Sequence, residues 1–188
     1  DEPLIQYCGQ INWKKNILRI LESCACYAQS GKPFTLVLAG QGPDAKSIKQ
    51  KVEELGLTSR TRFTGHITGE DDLYGLYENA DLFMFPSLYD TSGMVVREAA
   101  AMGTPSVVVR GCATAEPIID MQNGFLCEDT TQSLCDVLHK TLSDREMTKQ
   151  VGITARKTIY LSWDDIAGST IARYEALIER NTKSPRIL

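Results

Sequence analysis

The feature that most constrains this chain is a regular alternation of short apolar runs with stretches whose apolar residues recur at helical spacing. The run from Phe34 to Ala39, closed by Gly40, has the character of a strand buried on both faces. Ahead of it, Ile17, Leu18, Leu21, Cys24, Ala25 and Ala28 follow a helical period until Gly31 and Pro33 stop it. Leu4 to Cys8, Thr61 to Thr64, Leu82 to Phe85, Ser106 to Val109 and Gly124 to Cys127 read as further strands. Helices read from Pro43 through Ile48, Val52 and Leu55, and over Asp71 to Asn79 and Gly93 to Met102. Three more follow over Gln132 to Leu142, Asp144 to Ile159 and Asp164 to Glu179. The pattern predicts an α/β domain with a Rossmann-like parallel sheet and helices on both faces, spanning residues 1–180, with a tail over 181–188.

A sheet of this kind binds ligands where strand carboxyl ends run into loops and helix starts. Those loops are Gly9–Lys15, Gly40–Pro43, Gly65–Gly69, Pro86–Gly93 and Arg110–Glu116. Composition narrows what they can hold. With 43% hydrophobic and 23% charged residues, the 188-residue chain can bury a core and is not a disordered chain. A net charge of −4 argues against a general nucleic-acid binder but leaves room for a small basic pocket. No apolar run approaches the roughly 20 residues that span a bilayer, and no signal-peptide pattern is present. Six cysteines show no paired C-x-x-C knuckles, and His66 and His139 are the only histidines, so no metal site is expected. Cys8 and Cys24 sit in apolar patterns. All six are expected to be free, mostly buried thiols, and the chain to be cytoplasmic.

Three loops carry candidate chemistry. Gly40-Gln41-Gly42-Pro43, with Ala45 following, is a loose match to a dinucleotide-binding turn. Such a unit also needs a carboxylate about 20 residues on, where this chain has Ser59-Arg60-Thr61-Arg62. A tight turn for close packing accounts for these glycines equally well. The loop Pro86-Ser87-Leu88-Tyr89-Asp90-Thr91-Ser92-Gly93 runs into a helix whose free amides and positive dipole end suit a phosphate. Glu98 lies about one and a half turns in and leans back toward that end, where it can accept from two ribose hydroxyls. Asp90 faces the group attached to the phosphates. Helix capping by Asp90, and pairing of Glu98 with Arg97 or a lysine, remain open. Finally, Gly9-Gln10-Ile11-Asn12-Trp13-Lys14-Lys15-Asn16 places Lys14 or Lys15 at a helix start, a position that disfavours a cation unless an anion binds there.

Taken in order, these segments resemble the C-terminal domain of the retaining GT-B glycosyltransferases known as group 1. The resemblance rests on Gly9-Gln10 to Lys15-Asn16, Gly40-Gln41-Gly42-Pro43 and Phe63-Thr64-Gly65-His66. It continues through Pro86-Ser87, Asp90, Gly93, Glu98-Ala99, Ala101, Gly103 and Pro105, with Val107 and Val108. Family-like segments follow at Glu116, Asn123-Gly124-Phe125-Leu126 and Ser162-Trp163. It implies that Lys15 contacts the donor diphosphate, with Gly9, Gln10, Gly40 and Gly42 around the donor and Gly65 and His66 beside the nucleobase. It further implies that amides over Ser92, Gly93, Met94 and Val95 meet phosphate and sugar, that Glu98 holds the ribose, and that Asp90 faces the transferred sugar. Gln10 stands where the family has arginine, Asp90 where it has glutamate, and Thr91-Ser92 where it has Gly-Phe or a similar pair. The first removes a charge from the diphosphate site, and the other two are expected to retune the sugar accepted.

The implied reaction is transfer of a sugar from a nucleoside diphosphate sugar to an acceptor hydroxyl with retention, without a cofactor or metal. The chain is then the donor half of an active site, inactive alone and lacking an N-terminal acceptor domain. That missing half leaves room for peripheral association with the inner face of a membrane. The last helix, with its stripe of Ile166, Ile171, Tyr174, Leu177 and Ile178, either crosses to that domain or packs locally. A GT-B sugar-nucleotide epimerase and a non-catalytic nucleotide-sugar binding module are the alternatives.

Overall fold

The computed structural model describes residues 2–183. Six strands form one parallel sheet in the order β3-β2-β1-β4-β5-β6. They are β1 (Leu4–Cys8), β2 (Thr35–Ala39), β3 (Thr61–Gly65), β4 (Leu82–Met84), β5 (Ser106–Val109) and β6 (Phe125–Cys127). Central strands are apolar at most positions, Gln6 of β1 excepted, because helices cover both their faces: Ile5, Tyr7, Leu36, Leu38, Leu82, Phe83 and Met84 are wholly buried. The edge strand β3 instead alternates, with Thr61 buried and Arg62 exposed.

Helices α1 (Ile17–Ala28), α2 (Ala45–Glu54), α3 (Glu70–Asn79), α4 (Met94–Ala101), α5 (Thr131–Ser143), α6 (Arg145–Thr158) and α7 (Trp163–Lys183) complete the chain. Strand order runs outward from β1 to β3, then jumps back to β4 beside β1. With right-handed crossovers this puts α1 and α2 on one face and α3 and α4 on the other. Helix α5 packs on α1, and α6 on α4 and α5. Each amphipathic stripe explains its place: Ile17, Ile20, Leu21, Cys24 and Tyr27 of α1 are buried, as are Leu134, Cys135, Leu138 and Leu142 of α5.

Two expectations need correction. Cys26 on α1 and Cys135 on α5 form a disulfide, leaving Cys8, Cys24, Cys112 and Cys127 free. The pair is 109 residues apart and is made by the packing of two helices, which local spacing does not encode. It also removes the all-thiol ground on which a reducing compartment was expected. The tail expected from 181 yields three residues to α7, which runs to Lys183, and the rest lies outside the described residues. The apolar stripe of α7 is not buried on this domain: Ile171, Tyr174 and Leu177 are more than half exposed. No described helix is long and apolar enough to cross a membrane.

Candidate functional site

The strand order reverses between β1 and β4, and the site opens above their carboxyl ends, where such sheets hold ligands. From β1 the chain enters a loop held by its own side chains. The Tyr7 hydroxyl donates to the Gln10 carbonyl (2.9 Å), Asn12 Nδ2 to Gln10 Oε1 (2.6 Å), and the Lys15 amide to Asn12 Oδ1 (3.1 Å). Asn16 takes the left-handed conformation (φ 60°, ψ 30°), which asparagine tolerates. Its amide donates to the Pro86 carbonyl (3.1 Å) and to Asp129 Oδ1 (2.8 Å), tying this loop to the one that leaves β4. The two loops then meet at their charges: Lys15 Nζ lies 2.6 Å from Asp90 Oδ1. Asp90 Oδ2 is buried and has no hydrogen-bond partner among the described residues.

Helix α4 begins one turn beyond Asp90. Its cap is Gly93 at φ 55°, a left-handed position where a Cβ would press on Thr114. Among the described residues no side chain caps this end, so Asp90 is not a cap. The first intrahelical bond is from the Val96 amide to the Gly93 carbonyl (2.8 Å), leaving the amides of Met94 and Val95 ahead of it. Cys8, Gly9, Gln10, Lys15, Asp90, Ser92, Gly93, Met94 and Val95 all lie on the wall of one cavity of about 270 Å³. It shares Cys8, Gly9 and Gln10 with a second cavity of about 310 Å³, which extends over β2 to Gly40 and His66. Together they make a trough that runs from the start of α4 across the ends of β1 and β2 to His66.

Some expected residues lie off the wall. Gly42 and Gly65 line neither cavity. Gly42 lies so close to the Ile11 backbone, and Gly40 to the Gly9 carbonyl, that no side chain fits at either position. The packing role of this glycine turn is therefore real whatever binds beside it. Gly65 takes φ 70° and its carbonyl accepts from the Gly40 amide (2.8 Å), which brings His66 to the trough. Glu98 is half-buried and pairs with neither Arg97 nor a lysine. Arg97 donates to the Ile159 carbonyl (3.0 Å), while Glu98 Oε2 accepts from the Tyr77 hydroxyl (3.1 Å). Lys14 is exposed, so Lys15 is the cation of the site.

The sequence reading missed Tyr77 and Cys8. Tyr77 stood out in no motif, being one apolar residue of a helix, and its contact with Glu98 crosses from α3 to α4. Burial, reinforced by the Cys8 thiol and the Glu98 carboxylate, pushes the Tyr77 hydroxyl far above its ordinary pKa, so it remains a donor. Burial likewise raises the Cys8 thiol, opposed by a hydrogen bond with Tyr77. Tyr7 is raised by burial and by the charge of Asp90.

Residues 1–158, most of the chain, match the family described as Glycosyl transferases group 1. The chain belongs to that family. Over 174 residues this group 1 chain is 28% identical to the GDP-mannose-dependent alpha-(1-6)-phosphatidylinositol dimannoside mannosyltransferase of Mycobacterium tuberculosis, covering 93% of the chain and 44% of the relative. It spans about half the length of the curated relatives it matches. Its fold is similar to the C-terminal domain of a group 1 glycosyltransferase, LpcC, from Francisella tularensis, with a TM-score of 0.76 and 23% identity over 84% of each chain. It is also similar to Anabaena HepE in complex with UDP and glucose, with a TM-score of 0.75 and 20% identity over 97% of this chain and 49% of that one. At these identities the two structures support the fold, a GT-B C-terminal domain, which six parallel strands in Rossmann order also describe.

Proposed function

We propose that this domain binds a nucleoside diphosphate sugar, and that the whole protein transfers the sugar to an acceptor hydroxyl with retention of configuration. One observation carries the reading: Lys15, Asp90 and the uncapped start of α4 converge on a single cavity at the reversal point of the sheet. A cation and helix-start amides are the groups that a diphosphate needs. As the bond from the sugar to the diphosphate lengthens, negative charge grows on the departing oxygens, and Lys15 with the Met94 and Val95 amides is placed to take it up. Asp90 then turns from Lys15 toward the sugar, where its unpartnered oxygen faces the positive charge that develops at the anomeric carbon. In this proposal no metal shares that work, and activity survives a chelator. The nucleobase occupies the arm of the trough beside His66, and Glu98 holds the ribose. Donors of this class are named for the mannosyltransferase of M. tuberculosis, and a nucleotide is present in the HepE structure.

The acceptor side belongs, in the same proposal, to a second domain that closes over the trough. The half-length match to the relatives and the exposed apolar stripe of α7 support such a partner. Calorimetric titration of the chain with UDP, GDP and ADP tests the donor site. At least one should bind, and Glu98→Ala should weaken it by about 1–3 kcal/mol, the usual loss for charged hydrogen bonds. If none binds, or if Glu98→Ala binds as well as the parent, the site is misassigned. Radiolabelled sugar transfer by the full-length protein tests the reaction. Epimerised donor, or binding without turnover, would point to an epimerase or a binding module instead.

A further inference from the structure

We infer that Tyr77 is a positioning residue for nucleotide binding: its buried hydroxyl occupies one oxygen of Glu98 and so aims the other at the ribose hydroxyls. The inference rests on the reading of Glu98 as the ribose-binding carboxylate.

The geometry joins three elements at the point where the sheet reverses. Tyr77 lies in the last turn of α3, is wholly buried, and donates to Glu98 Oε2 from 3.1 Å. Its backbone leaves it little freedom. The Tyr77 carbonyl accepts from Thr104 Oγ1 (2.5 Å) and from the Ala80 amide (3.0 Å), and its ring meets Phe83 edge-on at 5.4 Å. The third member is Cys8 at the end of β1, whose thiol lies near enough to the Tyr77 oxygen that each bears on the other's titration.

A carboxylate one and a half turns inside a helix has rotamers to choose from, and an unanchored one spends ordering entropy on binding. With Oε2 held by an immobile phenol, Glu98 is fixed before any ligand arrives. Glu98 itself lines neither cavity, but its charge acts on the Cys8 thiol, and Cys8 lines both, at the seam where they join. A ribose, the link between base and diphosphate, belongs at that seam. The tyrosine does not touch it. Its contribution is the direction of the carboxylate.

Such a role predicts a loss that follows the ribose hydroxyls. The test compares binding of a nucleoside diphosphate with that of its 2′,3′-dideoxy form, for whichever of UDP, GDP or ADP binds the chain most tightly. The ratio of the two dissociation constants reports contacts to the hydroxyls alone and is independent of the fraction of protein folded. The parent should prefer the ribose form by about 10-fold or more, and Glu98→Gln should reduce that preference to near unity. Tyr77→Phe keeps the ring against Phe83 and should cut the preference to about 3-fold, with affinity for the dideoxy form unchanged. Thr104→Val, which leaves the phenol in place but frees the Tyr77 carbonyl, should lower it by a smaller factor and decides the matter if Tyr77→Phe does not fold. Should Glu98→Gln leave the preference intact, the ribose reading of Glu98 fails and this inference falls with it. Should Glu98→Gln remove the preference while Tyr77→Phe, or Thr104→Val in its place, keeps it whole, the ribose reading stands and only the positioning role is refuted.

Discussion

At the scale of single residues the site holds its two opposite charges paired with each other until a ligand arrives. They are Lys15 and Asp90, 2.6 Å apart with each side chain at most one-quarter exposed. Aspartate is one methylene shorter than glutamate, and here its carboxylate is spent on the cation that a diphosphate would need. Binding must therefore exchange one anionic partner of Lys15 for another, and the bond to Asp90 is a cost. Asp90→Asn removes the competitor and leaves Lys15 and the amides of α4 in place. Nucleotide affinity of the chain should rise, by up to about 1 kcal/mol for a partly exposed pair, while sugar transfer by the full-length protein falls. Titration of the parent and of Asp90→Asn with the same nucleoside diphosphate checks the first part. Weaker binding by Asp90→Asn would mean that Asp90 positions Lys15 rather than competes for it. Gln10 presents the complementary lesson. In place of a family cation it is a strut, bonded through Asn12 to the amide of Lys15, and it shapes the loop without charging it.

At the scale of elements, the alternation of periods in the sequence reached almost every strand and helix. Leu4–Cys8 and Ser106–Val109 begin and end as the apolar runs do, and α4 starts one residue after the glycine that opens its pattern. These boundaries are local, set by glycine, proline and the change from one period to another. What local pattern cannot carry is the partner of a side chain. Lys15 and Asp90 are 75 residues apart, and Tyr77 and Glu98 are 21 apart on different helices. Motif resemblance united the first pair and was silent on the second, since a tyrosine in an apolar stripe reads as core. The start of α7 shows a local device that does predict behaviour. Ser162 donates to Asp165 Oδ2 from its amide (3.2 Å) and its hydroxyl (2.6 Å), and the Asp165 amide donates back to Ser162 Oγ (3.1 Å). The side-chain bond first, and then the backbone bond, hold the Asp165 carboxyl below its ordinary pKa. A depressed pKa means the stabilisation is complete above the ordinary carboxylate value of about 4 and vanishes as pH falls through the folded one. Protection of the Asp165 and Ile166 amides, taken relative to the intrinsic exchange rate at each pH, should thus fall on acidification from neutral pH through the folded pKa. Ser162→Ala should show low protection already at neutral pH. Equal protection in both proteins at both pH values would dismiss the cap.

At the scale of the whole molecule, the two halves of the sheet are built by different stretches of chain and are held together by what crosses between them. The pairing of β1 with β4 is one such tie, and the packing of α5 on α1 is another. That second contact carries the Cys26–Cys135 disulfide near the carboxyl end of α1, while Asn16 and Arg19 near its other end reach Asp129 and Thr131 at the start of α5. Helix α1 follows directly on the loop that presents Lys15, so its seating on α5 sets where that cation stands. Closing a loop of this length restricts the unfolded chain strongly. In the entropic account the bond is worth about 4–5 kcal/mol, and strain or residual unfolded structure lowers that to about 2–4 in practice. Denatured without reductant, the chain should show four reactive thiols, rising to six after reduction. In the native fold, burial pushes Cys24 and Cys127 up to about 12, so both should stay silent toward a thiol reagent near neutral pH. Reduction, or Cys26→Ser with Cys135→Ser, should shift urea unfolding by that amount and leave the slope of the transition greater, because the untethered chain exposes more surface. Nucleotide binding should survive the loss, since the Asn16 and Arg19 contacts still seat the amino end of α1. Six free thiols in the unreduced chain, or unfolding unmoved by reduction, would show that packing alone joins these helices.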